Sequence, residues 1–211
     1  MMDWTLRKML AAIGLFGTCY LGLTTIVLHL LPTGYDPIRQ VVSDYAVGKY
    51  GLWMDLGFFA GGIGVMALAS TLYLRKDTER PPKMGATLLF IAGISLFVVG
   101  IFPTDVEGAP ATMHGTIHNI VSQVIFILAP IGMLLISRRA DKTWLEATLS
   151  AFILAGSFFA ANSILVLDAT GLAERLFIAV LLGWWILASY HELNPSWVLK
   201  RHGRMTLQPT V

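Results

Sequence analysis

The sequence predicts an all-α, polytopic membrane helical bundle with six transmembrane helices, both termini on the inner side and a short amphipathic helix on the outer side. Three observations predict this fold class: a mean hydropathy of +0.68, 55% hydrophobic against 13% charged residues, and a series of apolar runs separated by polar connections. Ordinary soluble chains carry about 25% charged residues. The runs are 9–31, 52–74, 84–103, 114–136, 145–167 and 171–190. Each is close to the roughly 20 residues that a helix needs to cross the hydrocarbon core of a bilayer.

The basic residues predict the orientation of these spans. Twelve of the 15 Lys and Arg residues lie before the first run, in alternate connections, or after the last run: Arg7, Lys8, Arg75, Lys76, Arg80, Lys83, Arg138, Arg139, Lys142, Lys200, Arg201 and Arg204. Positive charge is retained on the cytoplasmic side, so both termini are predicted to be inside. The connections 32–51, 104–113 and 168–170 are then predicted to face outward.

The first outer connection contains a further helix signal over residues 37–47. Asp36 before Pro37 is a favourable N-cap followed by proline at the first helical position. Apolar residues follow at helical spacing, while Ser43 and Asp44 lie on the polar side. We expect an amphipathic helix that lies at the outer interface or between the spans.

The remaining connections are short, which predicts one membrane domain over residues 1–211. The first run has no clear cleavage site, so we expect a retained helix and not a removed signal peptide. Asp168, Glu174 and Arg175 at the last outer turn are typical of helix-cap and rim charges. Cys19 is the single cysteine, which excludes an internal disulfide.

The outer connections carry the candidate functional residues. His114 and His118 are four residues apart, so they share one face of a helix and could bind the same metal ion. Asp105 could complete the ligand set, and a divalent metal such as zinc is the candidate cofactor. Asp44 is the candidate catalytic base and Ser43 the candidate nucleophile, although no nucleophile elbow surrounds this serine.

Other interpretations of the same residues stay open. The histidines and acids can be structural residues that hydrogen-bond to loop backbone at the membrane interface. They can also serve a proton relay. A single haem could use His29 with either His114 or His118 as axial ligands. A coupled transporter is disfavoured because no ionisable residue falls near the midplane of any predicted span.

Three segments carry a family resemblance: HLLPTGYDPIRQVVSDYAVGKYG at 29–51, GIFPTD at 100–105 and HGTIH at 114–118. With them the chain resembles the bacterial six-span membrane family called domain of unknown function 998. The resemblance supports the six-span prediction and the importance of Ser43, Asp44, Asp105, His114 and His118. It implies location in a bacterial inner membrane but no substrate.

The sequence therefore predicts a multi-pass membrane protein with an outward polar or metal site, and lipid-directed hydrolysis or transfer is the favoured activity. The alternative is a non-enzymatic subunit or scaffold. The predicted partners are membrane lipids, other membrane proteins or a second copy of the chain. A net charge of +2 is too small to indicate a nucleic-acid partner.

Overall fold

The computed structural model describes residues 2–75, 82–140 and 142–194, and every regular element within them is helical. In chain order these elements are α1 (Met2–Leu30), a 3₁₀ helix (Val42–Val47), α2 (Gly51–Tyr73), α3 (Lys83–Val99), α4 (Met113–Ala140), α5 (Lys142–Leu165) and α6 (Thr170–Leu193). The all-α prediction is confirmed. Five residues that contribute to the predicted orientation lie outside the described ranges: Lys76, Arg80, Lys200, Arg201 and Arg204.

Five of the described helices are long and apolar enough to cross a membrane, namely Thr5–Leu30 of α1 together with α2, α4, α5 and α6. Helix α3 is also apolar but has 17 residues, which is the lower limit for a span. The predicted run 84–103 ends early, at Val99, and a turn follows. Pro103 explains this end, because it lacks an amide hydrogen and disfavours helical geometry in the preceding residue.

Glycine residues set the close packing of the first four helices. A Cβ atom at Gly17 of α1 would collide with the backbone of α2. The same close approach joins Gly62 of α2 to Gly93 of α3, and Gly85 of α3 to Gly132 of α4. Small residues allow helix backbones to approach in a membrane, where van der Waals packing takes the place of the hydrophobic effect between helices. These contacts fix the positions of α1 to α4.

Helix α5 is less enclosed than the others and packs mainly against α4 and α6. Its large apolar side chains Ile153, Leu154 and Ile164 are 65%, 75% and 77% exposed. Gly156 would have no atom within 4 Å of an added Cβ. Such a surface suits contact with lipid tails, which are as apolar as leucine.

The helices run between two ends of the bundle, which we name the Glu192 end and the His118 end. At the Glu192 end, Arg7 of α1 and Arg75 after α2 form ion pairs with Glu192 of α6, at 2.9 and 3.2 Å. The three connections predicted to face outward meet at the other end. There the Gln40 side-chain amide donates a hydrogen bond to the Glu107 carboxylate at 2.9 Å, which joins connection 32–51 to connection 104–113.

The predicted helix over 37–47 is wrong in extent, because only its second half is helical. The carbonyls of Ile38 and Arg39 would accept hydrogen bonds from the next turn in a continuous helix. They accept instead from the amides of Leu172 and Gly171 in α6, at 2.9 and 3.0 Å. The first half of the segment is therefore docked onto the start of α6, and we name residues 38–47 the docked segment.

The predicted amphipathic character is present in the shorter 3₁₀ helix. Val42 and Tyr45 are 3% and 2% exposed, and their spacing matches the three residues per turn of this helix type. Asp36 Oδ1 accepts the Ile38 amide at 2.9 Å, but the predicted N-cap role is wrong, because the helix begins at Val42 with Val41 as its N-cap. The buried face points toward the interior of the bundle at the His118 end.

Candidate functional site

A cavity lies within the bundle at the His118 end, between α1, the 3₁₀ helix, α2, α3, α4 and α6. It encloses about 580 Å³ of empty space, with its open mouth included. Most of its wall is apolar: Leu21, Val42, Met54, Phe58, Leu96, Val99, Ile125, Phe126, Ile178, Leu181, Leu182 and Trp185. The polar side chains in the wall are Thr25, Ser43, His118, Ser122 and Glu174. An apolar wall with a few polar groups is typical of sites for small ligands.

His118 is buried, with 2% exposure, and its ring has a defined orientation in the cavity wall. Its Nδ1 lies 2.8 Å from the carbonyl oxygen of Phe102, just beyond α3. A carbonyl oxygen only accepts, so Nδ1 carries the proton. In the neutral ring, Nε2 then has a free lone pair, and it has no hydrogen-bond partner among the described residues. His118 therefore has one ring nitrogen that can accept a hydrogen bond.

Glu174 contributes a carboxylate to the same wall. Its Oε2 accepts the Val42 amide at 2.6 Å, which joins α6 to the 3₁₀ helix. None of the ion pairs within the described ranges includes Glu174. Glu174 is therefore more than a cap or rim charge, because it also lines the cavity. Glu174 shares a helical face with Ile178, Leu182 and Trp185, at intervals of four, eight and eleven residues, and that periodicity could have placed it in the wall.

Arg175, the next residue, turns away from the cavity and holds the docked segment. Its Nη1 donates to the Gln40 carbonyl and, at 3.0 Å, to the Gly171 carbonyl. Its Nη2 donates to the Tyr45 hydroxyl at 3.3 Å, and its Nε donates to His29 Nε2 at 3.0 Å. Arg175 therefore forms a network with the docked segment, and it is more than a rim charge.

His29 is part of this network through both ring nitrogens. Its Nε2 must be the acceptor from Arg175, since a guanidinium can only donate. Its Nδ1 lies 3.2 Å from the Thr25 carbonyl and 3.2 Å from the Tyr45 hydroxyl. An axial role for His29 in a haem site would require these contacts to break.

Ser43 and Asp44 are neighbours in the 3₁₀ helix but have different surroundings. Ser43 lines the cavity, whereas Asp44 lies outside its wall. Asp44 Oδ2 accepts the Val41 amide at 3.1 Å, so the side chain caps this helix. Burial is the main cause that raises the pKa of Asp44, and Glu107 adds to it, while the Val41 amide and Arg175 oppose the shift.

Asp105 caps the start of α4. Its Oδ1 accepts the Thr112 hydroxyl at 2.6 Å and its Oδ2 accepts the Thr112 amide at 3.0 Å. The Thr112 hydroxyl oxygen in turn accepts the Gly115 amide at 3.1 Å, as an N-cap side chain does. Any Cβ at Gly115 would collide with the Asp105 carboxylate, which explains glycine at that position. The Thr112 hydroxyl, followed by its amide, lowers the pKa of Asp105.

The three predicted metal ligands have different surroundings. His114 is exposed and packs edge-on against the Phe102 ring, with the ring centroids 5.4 Å apart. Among the described residues there is no group of three or more His, Cys, Asp or Glu side chains arranged to hold a metal ion. The assignment of His114, His118 and Asp105 as ligands stays a prediction. Of the five residues predicted for the site, Ser43 and His118 line the cavity.

The Asp105 cap gives a prediction for pH dependence. A carboxylate whose pKa is lowered by folding stabilises the folded state above its unfolded pKa, about 3.9, and this stabilisation is lost as the pH falls through the lower folded value. We expect Asp105→Asn to unfold at a lower Tm than wild type at pH 6, and the difference to shrink toward pH 3. Thermal unfolding of the purified protein measures this. The control is Asp168→Asn, which removes an exposed ion pair with Arg39 and should change Tm little. A Tm difference between wild type and Asp105→Asn that does not change with pH would contradict the capping role.

Comparison with known proteins adds one finding. A family model described as "Protein of unknown function (DUF998)" matches residues 10–191. This range contains every residue that lines the cavity. No curated protein and no solved structure matches the chain.

Proposed function

Because the chain belongs to the DUF998 family of proteins of unknown function, we propose its activity from the cavity itself: hydrolysis or group transfer on a lipid-derived substrate within the membrane. The observation that carries the proposal is the orientation of His118. Its Nδ1–H is held by Phe102, so a basic Nε2 remains available in a wall that also presents hydroxyl groups. Apolar walls beside a base suit a substrate with an acyl or alkyl chain.

The proposal includes the arrangement of the chain in the membrane. It has six spans within one domain of residues 1–211, both termini in the cytoplasm, and a location in the bacterial inner membrane. Support for α3 as the sixth span comes from its packing: Gly93 approaches α2, Gly85 approaches α4, and the helix runs between the same two ends as its neighbours. In this arrangement the cavity lies in the outer half of the membrane.

His118 is the proposed general base. It would take the proton of a hydroxyl group, either that of Ser43, that of Ser122 one turn further along α4, or that of a water molecule. The Glu174 carboxylate would stabilise the imidazolium that forms. The sequence predicted Asp44 as the base, but we propose His118 in this role because Asp44 lies outside the cavity wall. In the competing proposal, His114, His118 and Asp105 bind a metal ion such as zinc, and this ion activates a water molecule.

The test compares proteoliposomes made from bacterial polar lipids with wild-type protein and with His118→Asn. The asparagine amide can still donate to the Phe102 carbonyl but cannot act as a base. We expect a lipid product with wild type and a product rate lower by about 10²–10⁴-fold with the variant, as loss of a general base predicts. Mass spectrometry of the extracted lipids measures the product.

His114→Asn is the matched control, since it makes the same chemical change at an exposed position outside the cavity wall. Our proposal expects it to retain activity, whereas the metal proposal expects loss in both variants together with loss of bound metal. Identical lipid profiles for wild type and His118→Asn would contradict a catalytic role for His118.

The second candidate is a lipid-binding membrane subunit without catalysis. It is favoured by the structural roles of several polar residues at the His118 end. Asp105 caps α4, Asp44 caps the 3₁₀ helix and Arg175 holds the docked segment. This candidate predicts lipid that copurifies with the protein and leaves the proteoliposomes chemically unchanged.

A further inference from the structure

The Glu174 carboxyl group lies at the edge of an apolar cavity and has no ion-pair partner among the described residues. One oxygen accepts the Val42 amide, and no Lys, Arg or His nitrogen of the described residues lies within 4 Å to form an ion pair with either oxygen. Removing a carboxylate from water is unfavourable unless it is paired and hydrogen-bonded. A cationic ligand would supply the missing pairing.

The nearest basic side chain cannot supply it in the observed arrangement. Arg175 follows Glu174 directly, but its guanidinium donates to the Gln40 and Gly171 carbonyls, the Tyr45 hydroxyl and His29. These four acceptors direct it toward the docked segment. Its charge acts on Glu174 only at longer range.

The other polar groups of the wall complement a donor-rich ligand. His118 presents the lone pair of Nε2, and Ser43 and Ser122 present hydroxyl oxygens that can accept hydrogen bonds. A primary ammonium group has one positive charge and three N–H donors, which match a carboxylate together with two or three neutral acceptors. A carboxylate or phosphate ligand would meet an acceptor-rich wall of the same charge.

Below these groups the wall is apolar. Glu174 and Trp185 both line the cavity and are eleven residues apart on α6, which corresponds to about 16 Å along the helix. Between them, Ile178, Leu181 and Leu182 face the cavity. The site therefore has an anionic end and an apolar end, at a separation that suits one alkyl chain.

We propose that the cavity binds a single-chain amphiphile with a primary ammonium head group, placing the ammonium between Glu174 and His118 and the chain along α6 toward Trp185. The proposal rests on the proposed function only in using the same cavity as a ligand site. It names the class of substrate for the enzyme and is equally defined for a protein that binds without turnover.

The test measures binding of three ten-carbon probes to the full chain in detergent micelles: decylamine, 1-decanol and decanoate. Intrinsic tryptophan fluorescence, to which Trp185 contributes from the cavity wall, reports binding. For each probe the measured quantity is the ratio of affinity between wild type and Glu174→Gln, because partition into micelles cancels in this ratio. The glutamine oxygen can still accept the Val42 amide, so the local fold is retained.

We expect wild type to bind decylamine about tenfold more tightly, or better, than Glu174→Gln, since a hydrogen bond to a charged group is lost. The ratio for decanol should be near one, and decanoate should bind Glu174→Gln more tightly than wild type. Glu146→Gln removes the same charge at an exposed position on α5 and should leave all three affinities unchanged. A decylamine ratio near one, or the same ratio for decylamine and decanoate, would overturn the proposal.

A second variant tests the proposal independently of whether Glu174→Gln folds. Ile178→Trp narrows the cavity without a change in charge and should weaken decylamine and decanol alike. If Glu174→Gln does not fold, the ratio of affinity between wild type and Ile178→Trp is compared for decylamine and decanoate. A larger ratio for decylamine supports the proposal, and equal ratios overturn it. Binding that shows this selectivity without any lipid product in proteoliposomes would refute the enzymatic proposal alone, and product formation without selectivity would refute the ammonium proposal alone.

Discussion

Gly17→Leu should prevent α1 from packing against α2 and leave the protein unable to form its bundle. An added Cβ would lie 2.9 Å from the Gly64 Cα and closer still to the Ala60 carbonyl, so the obstruction is backbone, which cannot rotate away. Overpacking of an interior costs about 1–3 kcal/mol and more where backbone must move. We expect a loss above about 3 kcal/mol, measured as aggregation on size-exclusion chromatography and a strongly lowered Tm in detergent.

Gly156→Leu is the matched control for this expectation. It makes the same substitution within another apolar helix, at a position where an added Cβ has no neighbour within 4 Å. Because α5 exposes an apolar face there, the leucine should be accepted with a Tm near wild type. Equal behaviour of the two variants would show that the close approach of α1 and α2 is not required for the fold.

Arg175→Met should release the docked segment from α6. The methionine keeps an apolar side chain of similar length but removes the donors to Gln40, Tyr45 and His29. Hydrogen bonds of charged groups contribute about 1.5–3 kcal/mol each, and 1.4 kcal/mol is a factor of ten in an equilibrium. We expect amide hydrogen exchange over residues 38–47 to accelerate by about 10–100-fold, measured by mass spectrometry of the peptides.

Arg39→Met is the control, because Arg39 belongs to the docked segment and forms an ion pair with a residue outside it. Arg39 pairs with Asp168 at 2.9 Å, but both side chains are largely exposed, at 65% and 68%. Exposed ion pairs contribute about 0–1 kcal/mol, so exchange over 38–47 should change little. Acceleration by Arg39→Met as large as that by Arg175→Met would contradict a special role for the Arg175 network.

The fold class was predictable because composition and apolar run length depend on the membrane and not on tertiary detail. All six predicted runs correspond to helices, and most boundaries agree to within a few residues. The early end of α3 was predictable from Pro103 but was not predicted. The loss of helix in the first half of 37–47 was not predictable from local sequence, because it depends on tertiary hydrogen bonds to α6.

The candidate site was predictable in part. His118 and Ser43 were identified by residue type and spacing, and both face the cavity. Glu174 was not predicted for the site because an acid near the start of a helix is often a cap or a rim charge, and that interpretation left its position on the apolar face unnoticed. The hydrogen bonds of Asp105 to Thr112 were not predicted, because the short FPTD segment does not reveal a partner that lies seven residues further on.

The contact between Arg7 and Glu192 has a consequence for biosynthesis, since it joins residues 185 apart in the chain. During translation α1 enters the membrane long before α6 leaves the ribosome, so α1 is present for some time without α6, one of the helices that it packs against. The cavity wall draws on both helices, from Leu21 to Trp185. A nascent chain that stalls before α6 would contain most of the protein but not the complete cavity wall.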